Sequence, residues 1–454
     1  MSLDLLRDAS ALEGYARDVS GLRAVPEAVA RPESAAEVHA LMRMAAADGA
    51  CVTTAGAQTS TTGASVAECG WLLSTRAMAR ILDIDPVQRT VRVEPGVLIG
   101  DLQRACAPEG LFFAPDPTSE EECTVGGAIA CNASGPRTLA YGPTRRHVRS
   151  LTAVLADGSD FHAHRSTVEK NTVGYQMAHD PVDWFVGSEG TLGIVTEADL
   201  VLLPIPPRVL GLGVPFPDEA RALAFIVAAR QTPAVAPRCL EYFDAESFAI
   251  ARTAMDDSSW APRAGAMVYT EDAGDGDAPL DDWLALAEQF GANAGDVRAF
   301  DGEQALREAR RLRHALPAAM HERTAPFLPH GGRRVSTDWA VPYPLAAPAL
   351  AEARRIADAH RLPPAVTYGH LGNGHPHQNF VAQHPGDVAR IEQAIAETLH
   401  AIIAMGGTVA AEHGIGKIKS KWLALQAGPR QVAMMRALKQ EFDPGHRLAP
   451  GNIL

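Results

Sequence analysis

The sequence has no C-x-x-C pair; its cysteines, Cys51, Cys69, Cys106, Cys123, Cys131 and Cys239, are scattered. That spacing excludes a cysteine-ligated iron–sulfur or zinc motif of the usual kind and suits free thiols in a reducing compartment. No run of about 18 apolar residues occurs, so no membrane span is expected. The opening Met1-Ser-Leu-Asp-Leu-Leu-Arg-Asp is charged and lacks the apolar core of a signal peptide. A cytoplasmic protein is therefore expected. Basic residues are in deficit, 41 Lys and Arg against 54 Asp and Glu, and the net charge of −13 argues against a nucleic-acid surface. Neither G-x-G-x-x-G nor G-x-x-x-x-G-K-[ST] is found, which argues against nicotinamide and P-loop nucleotide sites. With 454 residues, 21% of them charged and 46% hydrophobic, the chain reads as a soluble globular enzyme of two or three domains.

What the sequence does have is glycine gathered into loops of small polar residues. One stretch runs from Pro115 to Gly142 and contains Pro115-Asp-Pro-Thr-Ser119, Thr124-Val-Gly-Gly127, Asn132-Ala-Ser-Gly135 and Tyr141-Gly142. Glycine removes the Cβ and exposes backbone N–H groups, so such a loop suits a pyrophosphate. A second loop, Ala55-Gly-Ala-Gln-Thr-Ser-Thr-Thr-Gly63, directly follows an expected strand at 50–54. A third, Gly187-Ser-Glu-Gly-Thr-Leu-Gly193, enters an expected strand at Ile194-Val-Thr196. Taken singly, such a loop is equally a surface turn.

Between the loops, Ser34 and Glu37 have capping-box spacing and Gly49 marks a stop, which predicts a helix over 34–49. Hairpins are expected at 80–94 and 151–163, and a short helix at 98–106. Pro204, Pro206 and Pro207 place a domain boundary near 207. Beyond it, strands alternate with helices, among them a helix near 303–316 and a strand at 334–341, in an α+β pattern.

The sharpest local signal lies in Gly369-His-Leu-Gly-Asn-Gly-His375-Pro-His377-Gln-Asn379. Its glycines and Pro376 predict a tight turn across which His370 and His377 can meet, while His375, His377 and Asn379 alternate onto one face. Two convergent imidazoles with a carboxylate are the usual nucleus of a Zn²⁺ or Mn²⁺ site. Glu412 is the candidate third ligand. His413 beside it is expected to point elsewhere, toward a substrate. A His- and Gly-rich hairpin is otherwise a solvated turn. Arg310, Arg311, Arg313, Arg333 and Arg334 are candidates for a carboxylate, and equally for solvated charges.

Together these motifs resemble the FAD domain and the D-2-hydroxyacid dehydrogenase branch of the vanillyl-alcohol oxidase superfamily. The branch includes D-lactate dehydrogenases, the glycolate oxidase flavoprotein subunit and D-2-hydroxyglutarate dehydrogenases. The resemblance runs from about residue 31 to the C-terminus. It implies an α+β fold, with a two-subdomain FAD-binding domain over 1–207, a ferredoxin-like α+β cap over 208–411 and a segment over 412–454 that returns to the FAD domain. It assigns FAD contacts to Gly56, Thr59, Ser60, Gly63, Pro115, Asp116, Thr118, Ser119, Gly126, Gly127, Asn132, Ser134, Gly135, Gly142, Glu189, Gly190, Gly193, Ile194 and Val195. Metal ligands would be His370, His377 and Glu412, for zinc or manganese. His413 would be the base, and Arg313 the substrate-carboxylate anchor, with Arg334, His375 and Asn379 also facing substrate. The implied reaction is metal-assisted alkoxide formation from a D-2-hydroxy acid with hydride transfer to flavin N5. Electrons would leave to a quinone, a cytochrome or an electron-transfer flavoprotein, and the reading allows a homodimer.

The chain departs from the family pattern at four places. The usual Arg-Gly-x-Gly is Ala55-Gly-Ala-Gln58, the hairpin's Asp and Asn are Asn373 and His375, and the terminal Asn-Pro-Gly is Ala449-Pro-Gly451. The Thr and Lys that resemble second-carboxylate ligands in hydroxyglutarate enzymes are Pro317 and Ser336. That favours a monocarboxylate such as D-lactate, although Arg333 or Arg334 could compensate. Glycolate or D-2-hydroxyglutarate oxidation, a non-catalytic flavin-binding subunit and a metal-dependent hydrolase are the competing expectations.

Overall fold

The computed structural model describes residues 5–175, 178–274 and 280–454. The first four residues of the charged opening 1–8 lie outside them. The chain forms two compact units: residues 1–135, 141–205 and 412–454 make the first, and 136–140 and 206–411 the second. No helix among the described residues is long and apolar enough to cross a membrane.

In the first unit, strands Ala28–Ala30, Trp71–Ser74 and Val52–Ala55 pair in parallel. The helix Ala35–Asp48 lays Val38, Leu41, Met42 and Ala45 into the same buried cluster as Val52 and Trp71. Its start and stop are those its sequence predicts. Ser34 accepts from the Glu37 N–H, Glu37 accepts from the Glu33 N–H at 2.8 Å, and Gly49 closes the helix in the left-handed region. A second sheet of the same unit runs in the order Ile81–Asp85, Thr90–Val93, Ile194–Val201, Val148–Val154 and Asp160–His164. Its core holds Val91, Leu151, Ala198 and Leu200 together with Ile99, Leu102 and Ile129.

The stretch from 115 to 142 is not all loop. Val125–Cys131 is a helix, capped by Thr124 at its start and by left-handed Asn132 at its end. Glycine disfavours helix, but burial of Val125, Ala128 and Ile129 overrides that preference. Pro429–Phe442, for which the sequence reading names no element, is helical and opens with proline at its first turn.

In the second unit one antiparallel sheet dominates, in the order Arg298–Asp301, Leu210–Phe216, Ala266–Asp272, Pro237–Asp244, Val366–His370, His375–Ala382 and Arg333–Ser336. The last of these stops at Ser336, short of the expected 341. Helices Ala245–Ala254 and Glu303–Thr324 cover one face through Phe248, Leu312, Leu316 and Met320, packed with Phe243, Tyr269 and Tyr368. The longer helix runs past Pro317, where the sequence reading ended it. Proline removes one helical hydrogen bond, yet Leu316 and Met320 on either side are fully buried, and their packing carries the helix through.

Candidate functional site

Two sets of functional groups emerge, one in each unit. In the first, the strand Val52–Ala55 delivers the 56–63 loop. The backbone N–H groups from Ala57 to Thr61 have no hydrogen-bond partner among the described residues. The buried hydroxyls of Thr53 and Thr54, on the strand that feeds the loop, also lack partners. Consecutive unpaired amides form an anion-binding concavity, so the loop fits a pyrophosphate. Gln58, where the family pattern has glycine, sits at φ +59°, and its amide nitrogen donates to the carbonyls of Tyr15 at 3.0 Å and Arg17 at 2.9 Å. A left-handed conformation is thus held here by a side chain tied down on both sides.

The other glycine loops close around this one. A Cβ on Gly56 would strike the Thr124 hydroxyl, and one on Gly135 the carbonyl of Asp116, while one on Gly190 would meet Thr54 at an ordinary 3.7 Å. The Thr124–Gly127 stretch does not offer the free amides expected of it. The N–H groups of Val125, Gly126 and Gly127 donate to Val97 O, Pro95 O and Thr124 Oγ1 at 2.8, 2.8 and 3.2 Å. Gly126 and Gly127 therefore allow close approach, with their N–H groups already used within the fold. Ile194 lies in the core and pairs with Val154 across the sheet, as Val195 does with Ala153, so these two support the cradle from behind.

Glu189, expected at the cofactor, does something else. It is buried at φ +52°, and its carboxylate accepts from the amides of Ile415 at 2.6 Å and Gly416 at 2.7 Å. Burial pushes its pKa up, and these two amides oppose the shift. Thr62 adds to the clamp: its hydroxyl donates to His413 O at 3.3 Å, and its carbonyl accepts from Lys417 and Ile418. The segment that carries Glu412 and His413 is thereby fixed to the cradle of its own unit. The two side chains do not diverge as expected; His413 Nε2 lies 3.4 Å from Glu412 Oε1. Asn452 completes the anchorage by donating to Ala64 O and Glu189 O and accepting from Lys417.

In the second unit, the turn at Leu371–Asn373, closed by Gly374 at φ +72°, sets the register of the histidine hairpin. His370 stands directly opposite His375, and Tyr368 opposite His377, so all four side chains share one face. The ligand nitrogens of His370, His375 and His377 lie within 4.8 Å of one another, and all three residues are buried. His375 thus belongs with the two expected ligands. Its Nε2 is 3.2 Å from Asp338 Oδ1.

The partners of the imidazoles fix their tautomers. His370 Nδ1 is 2.6 Å from Glu241 Oε1, and His377 Nδ1 is 3.4 Å from Thr337 O. With Glu241 ionised both oxygens accept only, so in the neutral imidazoles each Nδ1 carries the proton and each Nε2 keeps the lone pair that a metal needs. The donor set fits a divalent ion.

Glu241 also accepts from Arg313 Nε at 3.2 Å. Arg313 is buried beneath Tyr368, its guanidinium 4.8 Å from the ring centre, and its terminal amino groups make no hydrogen bond among the described residues. Arg334 is held by Asn379 Oδ1 at 2.9 Å and meets Tyr368 OH at 3.5 Å, with no acidic partner among the described residues. Asn379 is turned to structure, since its amide also donates to Val366 O and His377 O. It aims Arg334 and leaves no group over for a substrate. Of the other arginines, Arg311 and Arg333 lie at the surface, bonded to Ala254 O and Glu392.

The same seam continues to Glu271. There Arg238 donates at 2.6 Å and Tyr269 OH at 3.0 Å, with Arg137 at 3.6 Å. Burial would raise the Glu271 pKa, but Arg238 and Arg137 outweigh it and hold the carboxyl below the usual range. Glu241 and Asp338 escaped the sequence reading. Glu241 is 129 positions from His370, and the pairing of Tyr242 with Gly369 and of Phe243 with Tyr368 brings the two together.

Comparison with known proteins places the chain in a family. Residues 26–163 match the model of the FAD binding domain, and residues 205–453 that of the C-terminal domain of FAD linked oxidases. A D-2-hydroxyglutarate dehydrogenase of Xanthomonas citri pv. viticola is 32% identical, over 100% of this chain and 94% of its own length. A D-lactate dehydrogenase of Anaerostipes hadrus is 30% identical, over 99% of this chain and 92% of its own. The solved structure of an alkyldihydroxyacetonephosphate synthase, 19% identical, shares the fold with a TM-score of 0.73, over 98% of this chain and 82% of that one.

Proposed function

We propose a substrate and a division of labour from one premise, that the chain belongs to the FAD-linked oxidase family. The reading is oxidation of a D-2-hydroxy acid to the 2-oxo acid, with D-lactate or a similar monocarboxylate as substrate. The observation that carries it is the histidine face, where two buried imidazoles each set Nδ1 against an oxygen and three ring nitrogens converge within 4.8 Å.

In this reading the amides of Ala57–Thr61 hold the pyrophosphate of FAD. Gly56, Thr59, Ser60, Gly63, Pro115, Asp116, Thr118, Ser119, Asn132, Ser134, Gly142, Gly190 and Gly193 line the cofactor. Metal ligands are His370, His377 and Glu412, joined by His375. When bound, FAD supplies the two-electron acceptor, and a divalent zinc or manganese ion supplies charge that favours a deprotonated hydroxyl. Arg313 binds the substrate carboxylate with its terminal amino groups. His413 takes the hydroxyl proton at its imidazole, a task worth roughly 10²–10⁴-fold in rate. Electrons then pass to a separate acceptor such as a quinone, a cytochrome or an electron-transfer flavoprotein.

A dicarboxylate is the second reading, and Arg334 favours it. This half-buried guanidinium is held in place by Asn379 and faces no acid among the described residues. Anaerobic bleaching of the bound flavin by a panel of D- and L-2-hydroxy acids tests both. D-lactate should bleach it fastest. Faster bleaching by D-2-hydroxyglutarate, abolished in Arg334→Met, moves the substrate to the dicarboxylate. A yellow protein that no D-2-hydroxy acid bleaches ends the proposal.

A further inference from the structure

Glu241 is almost fully buried, on the strand Pro237–Asp244, and touches both halves of the chemistry in the second unit. Its Oε1 lies 2.6 Å from His370 Nδ1, and its Oε2 accepts from Arg313 Nε at 3.2 Å. The arrangement follows from register. Tyr242 pairs with Gly369 and Phe243 with Tyr368, so Glu241 falls on the face that carries Tyr368 and His370, beneath the helix that carries Arg313.

A buried carboxylate is costly unless paired and hydrogen-bonded. A stabilising pair alone would need only the arginine. An apolar pair would serve stability as well or better. Here the second oxygen goes to an imidazole whose other nitrogen is the candidate ligand. A carboxylate at that point fixes the tautomer, fixes the ring plane and raises the basicity of Nε2. The same side chain restrains Arg313 through Nε alone, which leaves the two terminal amino groups in place to take a carboxylate end-on.

We propose that Glu241 is a positioning residue that aligns His370 for the divalent ion and Arg313 for the substrate carboxylate at the same time. This rests on the metal and substrate roles given under the proposed function. Removing its charge then weakens two separate affinities that a purely structural residue would leave alone.

The test uses FAD-loaded full-length protein and zinc as the probe. Zinc affinity by equilibrium dialysis, together with KM and kcat for the best substrate of the panel, is compared in wild type, Glu241→Gln, Glu241→Asp and Glu271→Gln. The last removes the charge of another buried carboxylate of the same sheet, one bonded to Arg238 and Tyr269. Glu241→Gln should bind zinc about 10–100-fold more weakly and show a raised KM, with the flavin spectrum unchanged. Glu271→Gln should leave zinc affinity within about twofold of wild type, against that range. Where Glu241→Gln yields no yellow protein, Glu241→Asp, too short to hold both partners, should show the same direction of change. Wild-type zinc affinity and KM in a folded Glu241 variant overturn the assignment, and so does an equal loss in Glu271→Gln. If wild type and His370→Ala bind zinc alike, the metal reading itself falls and takes this inference with it. That result is visible before any change at 241.

Discussion

In the first unit the groups left for a ligand in the proposed reading are backbone amides, from Ala57 to Thr61, on a loop whose neighbours are glycines. In the second they are side chains, three imidazoles and two arginines backed by Glu241, Asp338 and Asn379. A backbone site tolerates many side-chain changes but not added bulk, because its donors exist whatever residue carries them. A side-chain site tolerates bulk at its edges but not the loss of one charge or one lone pair, because each group has a specified protonation state. Cofactor retention and turnover should therefore separate under mutation.

The largest separation is expected from His377→Ala. Removing one ligand nitrogen should lower turnover by about 10²–10⁴-fold, the equivalent of several kcal/mol of charge stabilisation. The flavin absorbance should be unchanged, as read by anaerobic bleaching beside the resting spectrum. Loss of flavin together with activity would merge the two sites and break the contrast. Gly135→Ala should do the reverse. Its new methyl group would meet the backbone carbonyl of Asp116, which cannot swing aside as a side chain could. Overpacking of this kind costs about 1–3 kcal/mol, and the protein should emerge paler with a lower melting temperature. FAD content per chain decides it.

How far the sequence revealed each site follows the same division. The loops at 56–63 and 187–193 could be read from composition, because glycine beside small polar residues has local causes. So could the helix at 35–48, whose cap, face and stop all lie within its own span. The helix Val125–Cys131 could not, since Gly126 and Gly127 argue against it locally and only the burial of Val125, Ala128 and Ile129 decides it. In the histidine hairpin the turn is legible, and whether His375 adds a ligand stays open because alternation along one strand does not say what stands opposite. Its pairing with His370 does. Glu241 was invisible in sequence for a stronger reason, because a lone acid in a strand has no local signature. Glu189 shows the converse. Its motif was recognised, but its carboxylate faces Ile415 and Gly416, contacts that span more than two hundred residues.

That clamp gives the next prediction. Glu189→Gln keeps the shape but presents an NH₂ group to one of the two amides and leaves buried donors facing each other, at a cost of about 1–3 kcal/mol. The segment with Glu412 and His413 should loosen, lowering kcat about tenfold by weaker positioning of the base while FAD stays bound. The pH dependence of stability supplies an independent reading. Burial raises the folded pKa of Glu189 above 4.5, so the folded state binds more protons than the unfolded one in that window. Its contribution is fully present below 4.5 and is lost as pH rises through the folded pKa. Melting temperatures measured across that range should show the decline in wild type and a flatter profile in the variant. An unchanged profile would mean that the carboxyl does not titrate in the fold.

The smallest effect belongs to Gln58, and it sharpens the contrast within the backbone site itself. At φ +59° a side chain is strained by roughly 1–2 kcal/mol, and two hydrogen bonds to Tyr15 O and Arg17 O offset that strain. Gln58→Ala keeps the strain and loses both bonds, each worth about 0.5–1.5 kcal/mol. Gln58→Gly loses the same bonds but sheds the strain, at some cost in unfolded-chain entropy. The glycine variant should therefore be the more stable of the two by about 1 kcal/mol, as read from thermal melts of FAD-loaded protein. If the loop binds through amides, as proposed, FAD affinity should stay within a few-fold of wild type in the glycine variant. A tenfold loss there would show that the glutamine side chain itself shapes the cradle, and the first unit would then bind by side chains as the second does.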